Sequence, residues 1–265
     1  MRLRIAIAFL LVIIAAPGVL SQETVRLATL EWQPYIGSKA LNNGYVAEVV
    51  AEAFKRVNYT TEITFLPWAR AVVQAEFGDY DGVFPEYFNE KRTDTFVYSD
   101  PFPGGPVGLY KRKDNAALYS ISPLVDQTEA LHSLQNYRFG VVRGYINTAE
   151  FDKAFFLRKE VVGNDTSNIR MLQSGRVDFI FIDKLTAEYI IQSQFPHYQK
   201  ELEFMEPALE TKSLYIAFSK QTKDFQRKID AFNSGLKQIT DDGTLAKIVK
   251  KHGFEQSFHL SVSNK

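Results

Sequence analysis

Tyr45-Val46-Ala47-Glu48-Val49-Val50-Ala51-Glu52-Ala53-Phe54-Lys55-Arg56-Val57 carries its apolar residues at 46, 49, 50, 53, 54 and 57. That spacing is one face of a helix. Before it, Thr24 to Leu30 reads as a buried strand, followed by a loop through Pro34, Gly37 and Asn42-Asn43-Gly44. After it, Ile63 and Phe65 mark a second strand. Trp68 to Phe77 suits a short helix closed by Gly78, and Asp81 to Phe84 a third strand. The order β-α-β-α-β implies a mainly parallel sheet flanked by helices, with its ligand crevice beyond the carboxyl ends of the strands.

The order recurs after a break containing Pro101, Pro103, Gly104, Gly105 and Pro106. Arg138 to Val142, Glu160 to Val162 and Asp178 to Ile182 read as strands, and Thr148 to Leu157 and Asp165 to Gln173 as helices. Extended segments at Val107 to Lys111 and Ser213 to Ser219 are placed to link the two sets. The expected fold is α/β with two lobes joined by two hinge strands: lobe one is 22–108 with 216–257, and lobe two is 109–215, inserted. Phe225, Ile229, Phe232, Leu236 and Ile239 form a helix face, and Asp241-Asp242-Gly243 starts a last helix with Leu245, Ile248 and Val249. Residues 258–265 read as a loose tail.

Arg2 and Arg4, the apolar run Ile5 to Ala16 and Val19-Leu20-Ser21 form a secretory signal peptide, with cleavage expected after Ser21. Its apolar run is too short to span a bilayer, and the alternative is an uncleaved anchor. Removing residues 1–21 takes away two arginines and no acids, leaving 29 basic against 31 acidic side chains. That balance argues against nucleic acid as a partner. The absence of cysteine excludes disulfides, thiol catalysis and a lipoprotein anchor. A periplasmic monomer without cofactor is expected. His132, His197, His252 and His259 are scattered, with no spacing suited to a metal.

Three blocks resemble the bacterial extracellular solute-binding proteins of family 3, the periplasmic components of amino-acid ABC transporters. The first is Asp79-Tyr80-Asp81-Gly82, then Asn89-Glu90-Lys91-Arg92 and Phe96-Val97-Tyr98-Ser99-Asp100-Pro101-Phe102. The second is Leu172-Gln173-Ser174-Gly175-Arg176-Val177-Asp178 with Asp183, and the third is Asp241-Asp242-Gly243-Thr244 with Ile248, Lys251 and His252. The resemblance implies a type II periplasmic-binding-protein fold: a hinged clamp that closes on a small polar solute, an amino acid or a related compound, and docks on an inner-membrane ABC permease.

A zwitterion needs a cation for its carboxylate and an anion for its ammonium, and Arg92 and Asp183 suit those roles from opposite lobes. The chain departs from the family pattern just before Arg92. Phe84-Pro85-Glu86-Tyr87-Phe88 stands where relatives that bind common amino acids carry small hydroxyl residues. Glu86 is then a candidate acceptor for a cationic or hydroxylated ligand. Trp32, Tyr35 and Trp68 are candidate aromatic walls, with Arg70 beside Trp68. The Gly144-Tyr145-Ile146-Asn147-Thr148 stretch offers amides at a helix start that could receive a carboxylate.

Plainer readings stand beside these: Arg92 pairing with Asp94, Asp183 and Thr148 as helix N-caps, and Trp68 as core packing. Two other functions also remain open. One is a sensing module read by a membrane receptor. The other is a periplasmic dehydratase or lyase with Glu86 as its acid, although no hydrolase, zinc-protease or phosphate-loop motif is present.

Overall fold

The computed structural model describes residues 22–254; the signal peptide and the tail read from the sequence lie outside them. The chain runs β1 (Glu23–Thr29), α1 (Tyr45–Arg56), β2 (Tyr59–Phe65), α2 (Trp68–Glu76), β3 (Gly82–Glu86), β4 (Phe96–Tyr98) and β5 (Phe102–Arg112). It continues with α3 (Gln127–His132), β6 (Arg138–Val142), α4 (Ala149–Lys153), β7 (Arg158–Val162), α5 (Asp165–Gln173), β8 (Phe179–Asp183), α6 (Lys184–Gln194) and β9 (Leu202–Phe204). It closes with β10 (Glu210–Ser219), α7 (Phe225–Asp241) and α8 (Thr244–Lys251).

The strands follow the path β2-β1-β3-β10-β5-β8-β6-β7, with β4 on β10 and β9 on β5. β2, β1 and β3 are mutually parallel, as are β7, β6 and β8. Antiparallel β10 borders the first trio, antiparallel β5 borders the second, and β10 and β5 pair with each other. These are the two α/β lobes and the two strands that join them.

Side chains alternate across each sheet, as the pleat requires. In the first lobe Val25, Leu27, Phe84, Ile216 and Phe218 meet α1 and α7, while Ala28, Val83 and Ala217 face α2. In the second, Leu109, Phe179 and Phe181 share one core, and Tyr110, Ile180 and Ile182 the other. α1 buries Val46, Val49, Val50, Ala53 and Phe54 against Ile229, Phe232 and Leu236 of α7. Gly235 permits this approach, since a Cβ there would lie 1.9 Å from the carbonyl oxygen of Ala53. Among the described residues no helix is long and apolar enough to cross a membrane.

Two sequence readings are corrected. Pro101 to Pro106 is not a break: from Phe102 onward it is the first half of the 11-residue strand β5. Among the described residues the ladder neighbour over 102–106 is β10 alone, because β8 and β9 join from Val107 and Tyr110. Proline is tolerated in a strand flanked on one side. The helix expected over 148–157 spans only Ala149–Lys153. Thr148 is its N-cap, accepting from the Phe151 amide, and Lys159 Nζ takes the carbonyls of Phe151 and Asp152, which ends it early. β4, α3 and β9 had no counterpart in the sequence reading.

Candidate functional site

Parallel strands end at the face where the two lobes meet, and the loops after them carry the polar and aromatic side chains. Trp32 follows β1, Trp68 follows β2, and Glu86 is the last residue of β3. From the other lobe Gly144 and Tyr145 follow β6, Asp165 opens α5 after β7, and Asp183 is the last residue of β8.

Glu86 is 3% exposed and forms an ion pair with Arg92. Arg92 Nη2 also donates to the Gly144 carbonyl at 2.9 Å, and Trp68 Nε1 reaches the same oxygen at 3.2 Å. Those two bonds cross the cleft. Burial pushes the Glu86 carboxyl up to about 7, outweighing the opposing pull of Arg92. Its Oε2 is buried with no hydrogen-bond partner among the described residues.

Asp183 is held differently. Its Oδ1 accepts from the Thr186 amide at 3.0 Å, capping α6, while Oδ2 accepts from the hydroxyls of Tyr35 at 2.9 Å and Tyr87 at 3.2 Å. Both tyrosines come from the first lobe. Burial raises Asp183 to about 6 against these donors, and the two phenols are raised by burial and by the carboxylate beside them. Trp32 stacks on Tyr35 at 4.5 Å between ring centres and meets Tyr87 edge-on at 5.8 Å. Gly105 of β5 leaves room for this arrangement, because a Cβ there would sit 2.1 Å from the Tyr35 hydroxyl.

The cleft has two chambers. One of about 30 Å³ is bordered by Leu30, Trp32, Trp68, Glu86, Tyr87 and Tyr145. The other, of about 300 Å³, is bordered by Trp32, Tyr145, Asp165, Thr186, Ile190 and Gln194. Asp165 accepts from the Tyr145 hydroxyl at 3.1 Å, and burial pushes its carboxyl to about 7. The Thr186 hydroxyl is buried without a partner among the described residues. Among the described residues no group of three acidic or imidazole side chains is arranged to hold a metal ion.

Of the residues singled out in the sequence, Trp32, Tyr35, Trp68, Glu86, Arg92, Gly144, Tyr145 and Asp183 come together here. Arg70 is exposed and borders neither chamber, and Thr148 is buried as the cap of α4 and donates to Gln127. Two of the five amides proposed to receive a carboxylate are engaged: Tyr145 N bonds the Val142 carbonyl and Asn147 N the Asp152 carboxylate. Sequence reasoning missed Tyr87, Asp165 and Thr186 as cleft residues.

Comparison with known proteins gives a consistent picture. The sequence model of the bacterial extracellular solute-binding proteins, family 3, matches residues 28–256. The L-cystine-binding protein TcyA of Bacillus subtilis is 26% identical over 210 residues, covering 78% of this chain and 71% of its own. An ancestral arginine-binding protein bound to arginine superposes with TM-score 0.71 at 20% identity, covering 87% of this chain and 98% of its own. A histidine kinase sensor domain similar to periplasmic binding proteins superposes with TM-score 0.73 at 16% identity, covering 88% and 97%.

Proposed function

Because the chain belongs to the bacterial extracellular solute-binding proteins of family 3, we propose that its cleft encloses a small amino compound, an amino acid or a relative of one, by hinge closure. It then hands that solute to an inner-membrane ABC permease. The observation that carries this reading is the set of hydrogen bonds crossing the cleft, from Tyr35 and Tyr87 to Asp183 and from Trp68 and Arg92 to Gly144. Groups that satisfy one another in the closed cleft are the groups an open cleft presents to a solute.

Ligand contact is assigned to Trp32, Tyr35, Trp68, Glu86, Tyr87, Arg92, Tyr145, Asp165 and Asp183. The lobe limits read from the sequence, with 109–215 inserted between the two parts of lobe one, belong to this proposal. So do export, cleavage after Ser21 and residence in the periplasm as a monomer. The relative named for L-cystine makes that compound a sensible member of any test panel.

Thermal unfolding of the exported protein against amino acids, amines, small peptides and organic acids tests the capture reading. A ligand at 100 times its dissociation constant adds about 2.7 kcal/mol and raises the midpoint. A panel without a single shift would sink it. Recovery of the protein from a periplasmic extract with Gln22 as its first residue tests export and cleavage.

A further inference from the structure

Trp32 and Tyr145 border both chambers of the cleft, and Thr186 ties the larger one to Asp183: its amide donates to that carboxylate at 3.0 Å while the residue borders the chamber. Thr186 is 1% exposed, and its hydroxyl has no partner among the described residues. An unpaired buried hydroxyl is costly, and this one can donate to a ligand.

Asn164, Asp165 and Thr166 bring the N-terminus of the nine-residue α5 to the same chamber. Asn164 caps the helix through the Ser167 amide. The amides of Asp165 and Thr166 have no intrahelical acceptor and no other partner among the described residues. Such donors suit a carboxylate. The Asp165 carboxylate is buried and accepts from Tyr145 through Oδ2, while Oδ1 has no hydrogen bond among the described residues. That oxygen suits an ammonium. Among the described residues the chamber is bordered by two acids, Glu31 and Asp165, and by neither lysine nor arginine. A lone anion would face those acids, and a lone cation would leave the amides and the hydroxyl unpaired. A zwitterion satisfies both sets.

The first end of a ligand is met elsewhere. Opening the cleft frees the Asp183 carboxylate together with donors on Tyr35, Tyr87, Trp68 and Arg92, enough for one ammonium and one carboxylate. The larger chamber, about 300 Å³, repeats that pairing of acceptor and donors. Resting on the capture reading, we propose that the ligand is an amino acid with two zwitterionic ends, a diamino dicarboxylic acid. One end lies between Asp183 and Arg92. The other enters the larger chamber, its ammonium against Asp165 and its carboxylate on the Asp165 and Thr166 amides and the Thr186 hydroxyl. The linking chain passes between Trp32 and Tyr145.

Titration calorimetry on the exported protein at pH 8 tests this with a matched series. Diaminopimelate and cystine have both ends; lysine lacks the second carboxylate of diaminopimelate, 2-aminopimelate its second ammonium, and norleucine both. The common amino acids complete the panel. The better of the two double-ended compounds is expected to bind at least about tenfold tighter than every single-ended one. Any smaller margin, or a single-ended amino acid as the best ligand, overturns the proposal and leaves capture of an amino acid standing. Silence from the whole panel removes both readings. Thr186→Val, which deletes a hydroxyl that has no partner in the protein and so spares the fold, is expected to weaken the double-ended ligand about fivefold. Asp165→Asn, checked for an unchanged fold by circular dichroism, is expected to weaken it at least about tenfold. Unchanged affinity in either variant also overturns the proposal.

Discussion

Glu86 and Asp183 occupy equivalent places in the two lobes, each the last residue of the parallel strand nearest the crossing pair, and both are buried. What holds them differs. Glu86 has a cation from its own lobe, six residues along the chain. Asp183 has two phenols from the opposite lobe and a helix amide from its own. Opening the cleft would leave the Glu86 pair intact and strip Asp183 of its hydroxyl donors. One acid belongs to the frame of its lobe; the other senses whether the lobes are together.

The largest effect should come from breaking the internal pair. Arg92→Ala leaves Glu86 buried without a counter-charge, and at pH 8 a loss of about 3 kcal/mol in urea unfolding is expected. The deficit should shrink at pH 5.5, where Glu86 takes up a proton. A loss that does not change with pH would show that Arg92 acts by packing and not by charge.

Next comes the pH dependence of the intact protein. Glu86 and Asp165 are raised to about 7 and Asp183 to about 6 by burial, so between their unfolded values near 4 and these values the folded state holds more protons. Their contribution is therefore present below pH 4 and is lost as pH rises through 6 to 7. Glu48, where burial raises the carboxyl but the hydrogen bonds from Lys251, His252 and Asn42 together lower it to about 2, works in the opposite sense, its contribution fading as pH falls from about 4.5 towards 2. Unfolding free energy is expected to decline from pH 5 to pH 7.5. A rise over that interval would contradict the burial of these acids.

Smaller is the effect expected at the sensing acid. Tyr35→Phe removes a hydrogen bond to a carboxylate and should cost about 1.5 to 3 kcal/mol, and Tyr87→Phe, at a longer and less buried bond, should cost less. Small-angle scattering should show the ligand-free Tyr35→Phe protein more extended than the parent. Equal compactness would mean that the phenols do not hold the lobes together. Smallest is Arg70→Ala, expected to change neither stability nor ligand affinity beyond about 0.5 kcal/mol, because Arg70 is exposed and makes no side-chain hydrogen bond or ion pair among the described residues.

The alternation of strands and helices was legible because burial imposes periodicities of 2 and 3.6, and α1, α5 and α7 follow their patterns closely. Local chemistry was harder to read. Pro103-Gly104-Gly105-Pro106 has the composition of a loop, and only the one-sided pairing of β5 explains why it is a strand. Asn164-Asp165 presents two residues suited to cap a helix, and only one can. Asn164 accepts from the Ser167 amide, which leaves Asp165 free to bond Tyr145 in the cleft. α3 does have a local signal in the sequence: Asp126 and Glu129 have the spacing of a capping box, and Asp126 accepts from the Glu129 amide. Asp183 filled both roles that the sequence set against each other, capping α6 with one oxygen and facing the cleft with the other.

Pro103 and Pro106 remove two amide donors from the stretch of β5 that joins the lobes, and the partner strand slips register between Lys212 and Leu214. A ladder with missing rungs bends at little elastic cost. The resistance to opening therefore resides in the latch formed by Tyr35, Tyr87, Trp68 and Arg92, and the joint itself behaves as a soft pivot. Such a machine is tuned at its clasp: the affinity for a solute and the rate of its release would be set by how well that solute replaces four side-chain bonds.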